Sequence, residues 1–242
     1  MTEIWAHRGA VEFAPENTLP AFRKAIELGA QGIELDVQRT RDGHLVILHD
    51  ETVERTSNGT GAVVDLTLDE LRRFDFSSRY AGYEGSPIPT LREVLELLAP
   101  TDLRLNIELK DTLEPYQGMP LEAKALVDEY GMAQRVVYSS FNHYGLATLR
   151  DVVEPENLGL LYLGGLFEPW RYAQWFGAGA LHPGRLALRD EELIANCHDA
   201  SIAVHVWTVN DEATVAHLAA QGIDAIITDY PDRALAALEG KR

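Results

Sequence analysis

The chain is predicted to fold as an α/β TIM (β/α)8 barrel, and three features of the sequence predict it. Strand-length apolar runs alternate with helix-periodic stretches eight times within 242 residues, and strands alternating with helices at that spacing form parallel βα units that can close into a barrel. Polar and ionisable residues gather at the C-terminal ends of the apolar runs, where such a barrel carries its active site. No Gly-x-Gly-x-x-Gly follows the first strand, so the dinucleotide-binding form of the alternative, a doubly wound open sheet, has no support.

The first strand covers residues 4–7 and brings His7 and Arg8 to its C-terminal rim, with Gly9 free to turn or to let a ligand approach. Residues 18–28 read as a helix, because Leu19, Phe22, Ala25 and Ile26 recur at helical spacing. Asn17 or Thr18 supplies its N-cap and Gly29 its stop. The second strand, 31–38, turns through Arg41-Asp42-Gly43 into an arm at 45–48, since Asp-Gly between apolar runs signals a hairpin. Glu34 and Asp36 are two apart and share one face, while Ile33, Leu35 and Val37 share the other. The hairpin ends at His49-Asp50. Residues 50–89 are polar, with little periodicity beyond a short helix at 68–74, and are expected to be a small inserted segment. From Thr90 the rhythm is regular. Strands are predicted at 103–109, 135–139, 158–163, 179–182, 202–207 and 225–228, and helices at 91–98, 121–130, 144–153, 169–176, 189–200, 211–221 and 231–238.

Hydrophobic residues make up 46% of the chain, enough for a large core in a single domain over 1–242. No stretch approaches the roughly 18 apolar residues of a membrane span, and the first residues run straight into a strand, leaving no room for a signal peptide. Cys197 is the single cysteine, which excludes an internal disulfide and points to a reducing, cytoplasmic setting. A net charge of −17 argues against a nucleic-acid surface. It also repels anions from afar, so local cations must receive a phosphate ester. The expected partner is a small molecule. The oligomeric state is open, a homo-oligomer included.

Residues from the ends of different barrel strands meet around the axis. His7, Arg8, Glu34, Asp36, His49, Glu108 and Lys110 are therefore expected to converge. Like charges at a buried strand end are costly unless something positive offsets them. Glu34, Asp36 and Glu108 supply an all-oxygen site for a divalent cation, Mg2+ or Ca2+, and the lack of a thiolate disfavours zinc. Arg8 and Lys110 suit non-bridging phosphate oxygens and the extra charge of a pentacoordinate transition state. His7 and His49 suit a general acid and base, with neither role assigned. Phe141, His182 and Trp207 complete the expected substrate-binding set. His182, His205 and Trp207 either line the pocket or are buried with satisfied hydrogen bonds. Glu16 is expected to support the site or a helix end, and His44, His143, His198 and His217 to lie at the surface. Cys197 reads as a core residue. Trp170, Tyr172, Trp175 and Phe176 form an apolar wall for the substrate or part of the core.

With these residues in place the chain resembles the glycerophosphodiester phosphodiesterase family. The resemblance is carried by Ala6-His7-Arg8-Gly9, Pro15-Glu16-Asn17-Thr18, Ile33-Glu34-Leu35-Asp36-Val37, Asp42-Gly43, His49-Asp50, Arg55-Thr56-Ser57-Asn58-Gly59, Ile107-Glu108-Leu109-Lys110, Ser139-Ser140-Phe141, Trp207-Thr208-Val209-Asn210 and Thr228-Asp229-Tyr230-Pro231. It implies a TIM barrel with an insertion after strand two and a divalent-metal phosphodiesterase releasing an alcohol and sn-glycerol 3-phosphate. It also implies that His7 and His49 are the acid–base pair and that Glu34, Asp36 and Glu108 are metal ligands. Asp111 departs from the family, which often has proline after the lysine. Two alternatives stand beside this expectation: a lysophospholipase D-type enzyme using the same site on lipid phosphodiesters, and a catalytically idle barrel that binds a phosphodiester. The second of these predicts damage to His7, His49 or the three acids, and all five are intact.

Overall fold

A computed structural model describes residues 1–77, 80–111, 117–188 and 192–240. Nine strands lie among them: β1 (Glu3–His7), β2 (Gly32–Arg39), β3 (Leu45–Ile47), β4 (Arg104–Leu109), β5 (Val136–Ser140), β6 (Leu158–Tyr162), β7 (Ala180–Pro183), β8 (Ala203–Val206) and β9 (Ala225–Thr228). Eight are parallel in the order β1-β9-β8-β7-β6-β5-β4-β2, and β1 also pairs with β2, so the sheet closes on itself. This is the expected TIM barrel. β3 stays outside the ring as the antiparallel arm of β2, with Val37 opposite Ile47 and Arg39 opposite Leu45.

The connections hold α1 (Leu19–Glu27), α2 (Leu68–Leu71), α3 (Leu91–Leu98), α4 (Met119–Glu129), α5 (His143–Ala147), α6 (Pro169–Phe176), α7 (Leu193–Asp199), α8 (Glu212–Ala220) and α9 (Pro231–Glu239). Side-chain oxygens start several of them by accepting orphan N–H groups. Thr18 caps α1 by accepting from the Ala21 N–H, and Asp211 caps α8 by accepting from Thr214. Thr67 with Glu70, and Thr90 with Glu93, form reciprocal capping boxes at α2 and α3. The helix expected over 144–153 stops at Ala147 and continues as turns, the N–H groups of Val152 and Val153 both reaching the Leu149 carbonyl. Asp151 and the β-branched Val152 and Val153 favour that ending. The first residues of the helix expected over 189–200, residues 189–191, lie outside the described residues, as do residues 78 and 79 of the segment at 50–89.

Alternation along the strands divides the burial. Ile33, Leu35 and Val37 of β2 and Leu105, Ile107 and Leu109 of β4 face outward, joining Phe22, Leu91, Val94 and Leu95 of the helices in the main core. Each such side chain contributes about 1.5–3 kcal/mol on burial. Inside the barrel Trp5 packs with Val137, Ala225 and Ile227. Trp5 lies opposite Gly32, where a Cβ would sit 2.4 Å from the indole, so only glycine fits there. The segment at 50–89 has a small core of its own: Val53, Val63, Leu68, Leu71, Phe76 and Ile88 pack against Val46 and Leu48.

Candidate active site

Strand register assembles the site. His7 on β1 lies opposite Glu34 on β2, Glu34 opposite Asn106 on β4, and Asp36 opposite Glu108. Glu34, Asp36 and Glu108 each present a carboxylate oxygen within 4.8 Å of the others. Arg8 Nε lies 3.3 Å from Asp36 Oδ2. Lys110 Nζ lies 2.7 Å from Glu108 Oε1 and 3.7 Å from Asp36 Oδ1. Asn17, read in the sequence only as a helix cap, takes a left-handed φ of 56° and donates from Nδ2 to Asp36 Oδ2 at 2.8 Å.

The charges in this cluster do not balance evenly. Burial works to raise Asp36, but Arg8, Lys110 and His49 hold its carboxyl below the usual range. Glu34 is pushed well above that range by burial and by the Asp36 and Glu108 charges. Glu108 is pushed up to about 7 by burial and by Asp36, against the pull of Lys110. A divalent cation fits this cluster, because the donors are hard carboxylate oxygens. Asp36 Oδ1 and Asn106 Oδ1 are moreover buried without a hydrogen-bond partner.

Each candidate acid–base histidine is held by a carboxylate. His7 Nδ1 lies 2.6 Å from Asp229 Oδ1, and its Nε2 lies 3.9 Å from Glu34 Oε2. His49 Nδ1 lies 2.6 Å from Asp50 Oδ1. With the Nδ1–H donated to the acid, Nε2 of each ring is left to exchange a proton. Burial lowers the His49 pKa; Asp36 opposes this and the Arg8 and Lys110 charges add to it. Burial works to raise Asp229 and Asp50, but hydrogen bonds from His7 and Asn210 hold Asp229 low, and those from Arg55 and His49 hold Asp50 low.

His7, Glu34, Asn106, Glu108, Leu161, Trp207 and Ile227 line a narrow cleft. Trp207 and Phe141 meet edge to face, with ring centroids 5.6 Å apart, and give it an apolar side. A roomier groove of about 680 Å³ near Leu45, Arg92 and Leu126 is lined by none of these groups.

His182 departs from the expected substrate contact. Its side chain is fully buried, its Nε2 lies 2.9 Å from His205 Nδ1, and it fills the space where a Cβ on Gly159 would come within 2.3 Å. It lies opposite Leu161 and touches the site through its carbonyl oxygen, which accepts the Trp207 Nε1–H at 2.9 Å. His143, expected at the surface, is half-buried, stacked on Tyr172 with Nε2 3.0 Å from the Leu161 carbonyl. Of the α6 aromatics, Phe176, Trp170 and Tyr172 pack on the main core, and Trp175 is exposed. Asp111 is buried and accepts from Ser140 Oγ at 2.8 Å. Asp50 and Arg55 were visible in the sequence only as motif members, and Asp229 also as a residue at the end of the last strand; the histidines and acids they hold give them their place.

The sequence model of the glycerophosphoryl diester phosphodiesterase family matches residues 7–233. The chain belongs to this family. A glycerophosphodiester phosphodiesterase of Caldanaerobacter subterraneus subsp. tengcongensis is 43% identical, over 96% of this chain and 95% of its own length. The crystal structure of glycerophosphodiester phosphodiesterase from Agrobacterium tumefaciens superposes with a TM-score of 0.84 at 31% identity, covering 98% of this chain and 100% of that one. An Oleispira antarctica phosphodiesterase, solved in complex with the product sn-glycerol-3-phosphate, superposes with a TM-score of 0.86 at 30% identity, covering 99% of this chain and 97% of that one. Among the described residues no helix is long and apolar enough to cross a membrane.

Proposed function

We propose that the chain is a metal-dependent glycerophosphodiester phosphodiesterase, a phosphoric diester hydrolase that releases an alcohol and sn-glycerol 3-phosphate. The observation that carries this reading is one convergence: three carboxylates within 4.8 Å, the Arg8 guanidinium and Lys110 ammonium beside them, and two carboxylate-held histidines. Glu34, Asp36 and Glu108 would hold the divalent cation, Mg2+ or Ca2+, which supplies Lewis-acid polarisation of the phosphoryl group when bound. Arg8 and Lys110 receive phosphate oxygens and answer the charge that builds in the transition state. One of His7 and His49 takes a proton through Nε2 from the attacking oxygen, the glycerol 2-hydroxyl or a water. The other gives a proton to the leaving alkoxide. If the 2-hydroxyl attacks, water opens the cyclic phosphodiester in a second step with the histidine roles exchanged. Phe141 and Trp207 form the apolar side of the cleft. The chain works as one domain over 1–242, with 50–89 as a small inserted segment. It serves glycerol and lipid breakdown in the cytoplasm, on small-molecule substrates and without nucleic acid.

A second reading, a lysophospholipase D-type activity, is favoured by Leu163, Leu166, Phe167 and Leu186, which are exposed on the loops that follow β6 and β7. A Cβ on Gly184 would lie 3.1 Å from Leu163 and 3.8 Å from Trp207, so this apolar rim adjoins the cleft.

Glycerol 3-phosphate release from glycerophosphocholine and glycerophosphoethanolamine, measured with EDTA and again after adding Mg2+, Ca2+ or Mn2+, tests the proposal. Metal-dependent release is expected. No release with any ion, but release from lysophosphatidylcholine, transfers the site to the second reading. No release from either leaves a phosphodiester-binding barrel.

A further inference from the structure

Arg55 comes from the 50–89 segment, yet its guanidinium ends between two carboxylates that serve different parts of the site. Nε and Nη2 donate to the two oxygens of Asp50 at 2.6 and 3.0 Å. Nη1 and Nη2 donate to the two oxygens of Glu16 at 2.6 and 2.8 Å. Both ends are thus bidentate, the arrangement in which a planar guanidinium fixes direction as well as charge. Each carboxylate passes the constraint on. Asp50 Oδ1 lies 2.6 Å from His49 Nδ1. Glu16 Oε1 accepts from Arg8 Nη1 at 2.9 Å, and Arg8 Nε lies 3.3 Å from Asp36 Oδ2. The charges alternate without a break along Asp50, Arg55, Glu16, Arg8 and Asp36. No other cation pairs with Glu16 or Asp50 among the described residues, apart from Arg8 and His49 themselves.

We propose that Arg55 is a positioning residue: its one guanidinium sets the His49 ring through Asp50 and the Arg8 guanidinium through Glu16, so that seating of the 50–89 segment and assembly of the site are a single event. This rests on the phosphodiesterase reading for its kinetic arm only. Asp50 and Glu16 face each other across Arg55, so its removal leaves Glu16 held only by Arg8 and Asp50 only by His49; the two like charges then move apart, and His49 and Arg8 follow them. The Nδ1–H tautomer of a neutral His49 needs Asp50 in place; a freed imidazole favours the Nε2–H form instead. A lysine keeps the charge but has no fork, and can hold one carboxylate at a time.

The test compares the full-length wild type with Arg55→Ala and Arg55→Lys by histidine 15N NMR, by kcat and KM on glycerophosphocholine, and by thermal unfolding. The expected result is a shift of neutral His49 away from the Nδ1–H form in Arg55→Ala. A fall in kcat of about 10–100-fold, a several-fold rise in KM, and partial recovery of Arg55→Ala on adding guanidinium should accompany it. Arg55→Lys is expected to fall between the two. If Arg55→Ala does not fold, Arg55→Lys carries the same comparison. An unchanged His49 spectrum, or kcat and KM within twofold of wild type in a variant whose only change is a lower Tm, overturns the proposal. The spectrum needs no turnover, so a wild type that cleaves no phosphodiester refutes the activity and still leaves Arg55 decided by the tautomer.

Discussion

The two halves of the barrel mouth are built on opposite terms. The half formed by the ends of β1, β2, β4 and β9 carries His7, Arg8, Glu34, Asp36, Glu108, Lys110 and Asp229, joined by hydrogen bonds and ion pairs. The half formed by the ends of β5 to β8 carries Phe141, Leu163, Leu186 and Trp207, whose one side-chain hydrogen bond runs from Trp207 Nε1 to the His182 carbonyl. Burying a charge is tolerable only when it is partnered, so the first half must be a connected network. The second half is under no such constraint and can vary in shape, which suits it to reading the leaving group rather than moving protons. On the proposed roles, rate should live in the first half and substrate preference in the second.

The sharpest way to break this contrast is to remove a proton-transfer group from the charged half. His7→Ala or His49→Ala is expected to lower kcat by about 10²- to 10⁴-fold, with far-UV circular dichroism unchanged. A folded variant of either kind that keeps near-normal turnover would remove that histidine from the acid–base pair.

On β7 and β8, within the apolar half, the contrast has an exception, the buried pair His182 and His205. Burial pushes His205 down to about 4, and burial with the His205 neighbour pushes His182 well below the ordinary histidine value. An unfolded histidine titrates near about 6.5. As pH falls below that value the unfolded chain therefore takes up protons first, and stability is lost between about 6.5 and about 4. At about 1.4 kcal/mol for each tenfold change in proton affinity, His205 alone is worth on the order of 3 kcal/mol. Urea midpoints measured across that window should fall, and His205→Gln should flatten the fall. An equally steep fall in the variant would assign it to other groups.

Smaller effects are expected from the apolar surface itself. Trp207→Ala should raise KM for glycerophosphocholine by about tenfold and leave kcat within a few-fold. A loss confined to kcat would move Trp207 to the chemical half. Smallest is the rim. The double substitution Leu163→Ser and Phe167→Ser should lower the ratio of lysophosphatidylcholine to glycerophosphocholine turnover by a few-fold, and an unmoved ratio would retire the rim as a lipid contact.

The barrel was legible in the sequence because its signals are local: apolar runs such as 33–37 and 103–109, helical spacing such as Leu19, Phe22, Ala25 and Ile26, and caps such as Thr18. The convergence of Glu34, Asp36 and Glu108 was legible because each sits on the inward face near a strand end. The place of His182 was not, because inward alternation does not say which neighbour a ring will meet across a staggered barrel, and the β7–β8 register sets it beside His205 with its side chain buried. His143 was misjudged at the surface because its burial depends on α6 bringing Tyr172 against it. The pairing of His7 with Asp229 needs the ring to close between β1 and β9, which spans nearly the whole chain and leaves no local trace.

β3 belongs to two interiors at once. Leu45 and Ile47 point into the main core, while Val46 and the adjoining Leu48 point into the small core of the 50–89 segment. A strand dry on both faces has no side from which it can fray. The segment that supplies Asp50 and Arg55 thus shares a strand with the barrel wall, and it is expected to open only with the barrel: amide exchange there should track global unfolding, and proteases should find no intermediate in which the segment has peeled away from an intact barrel.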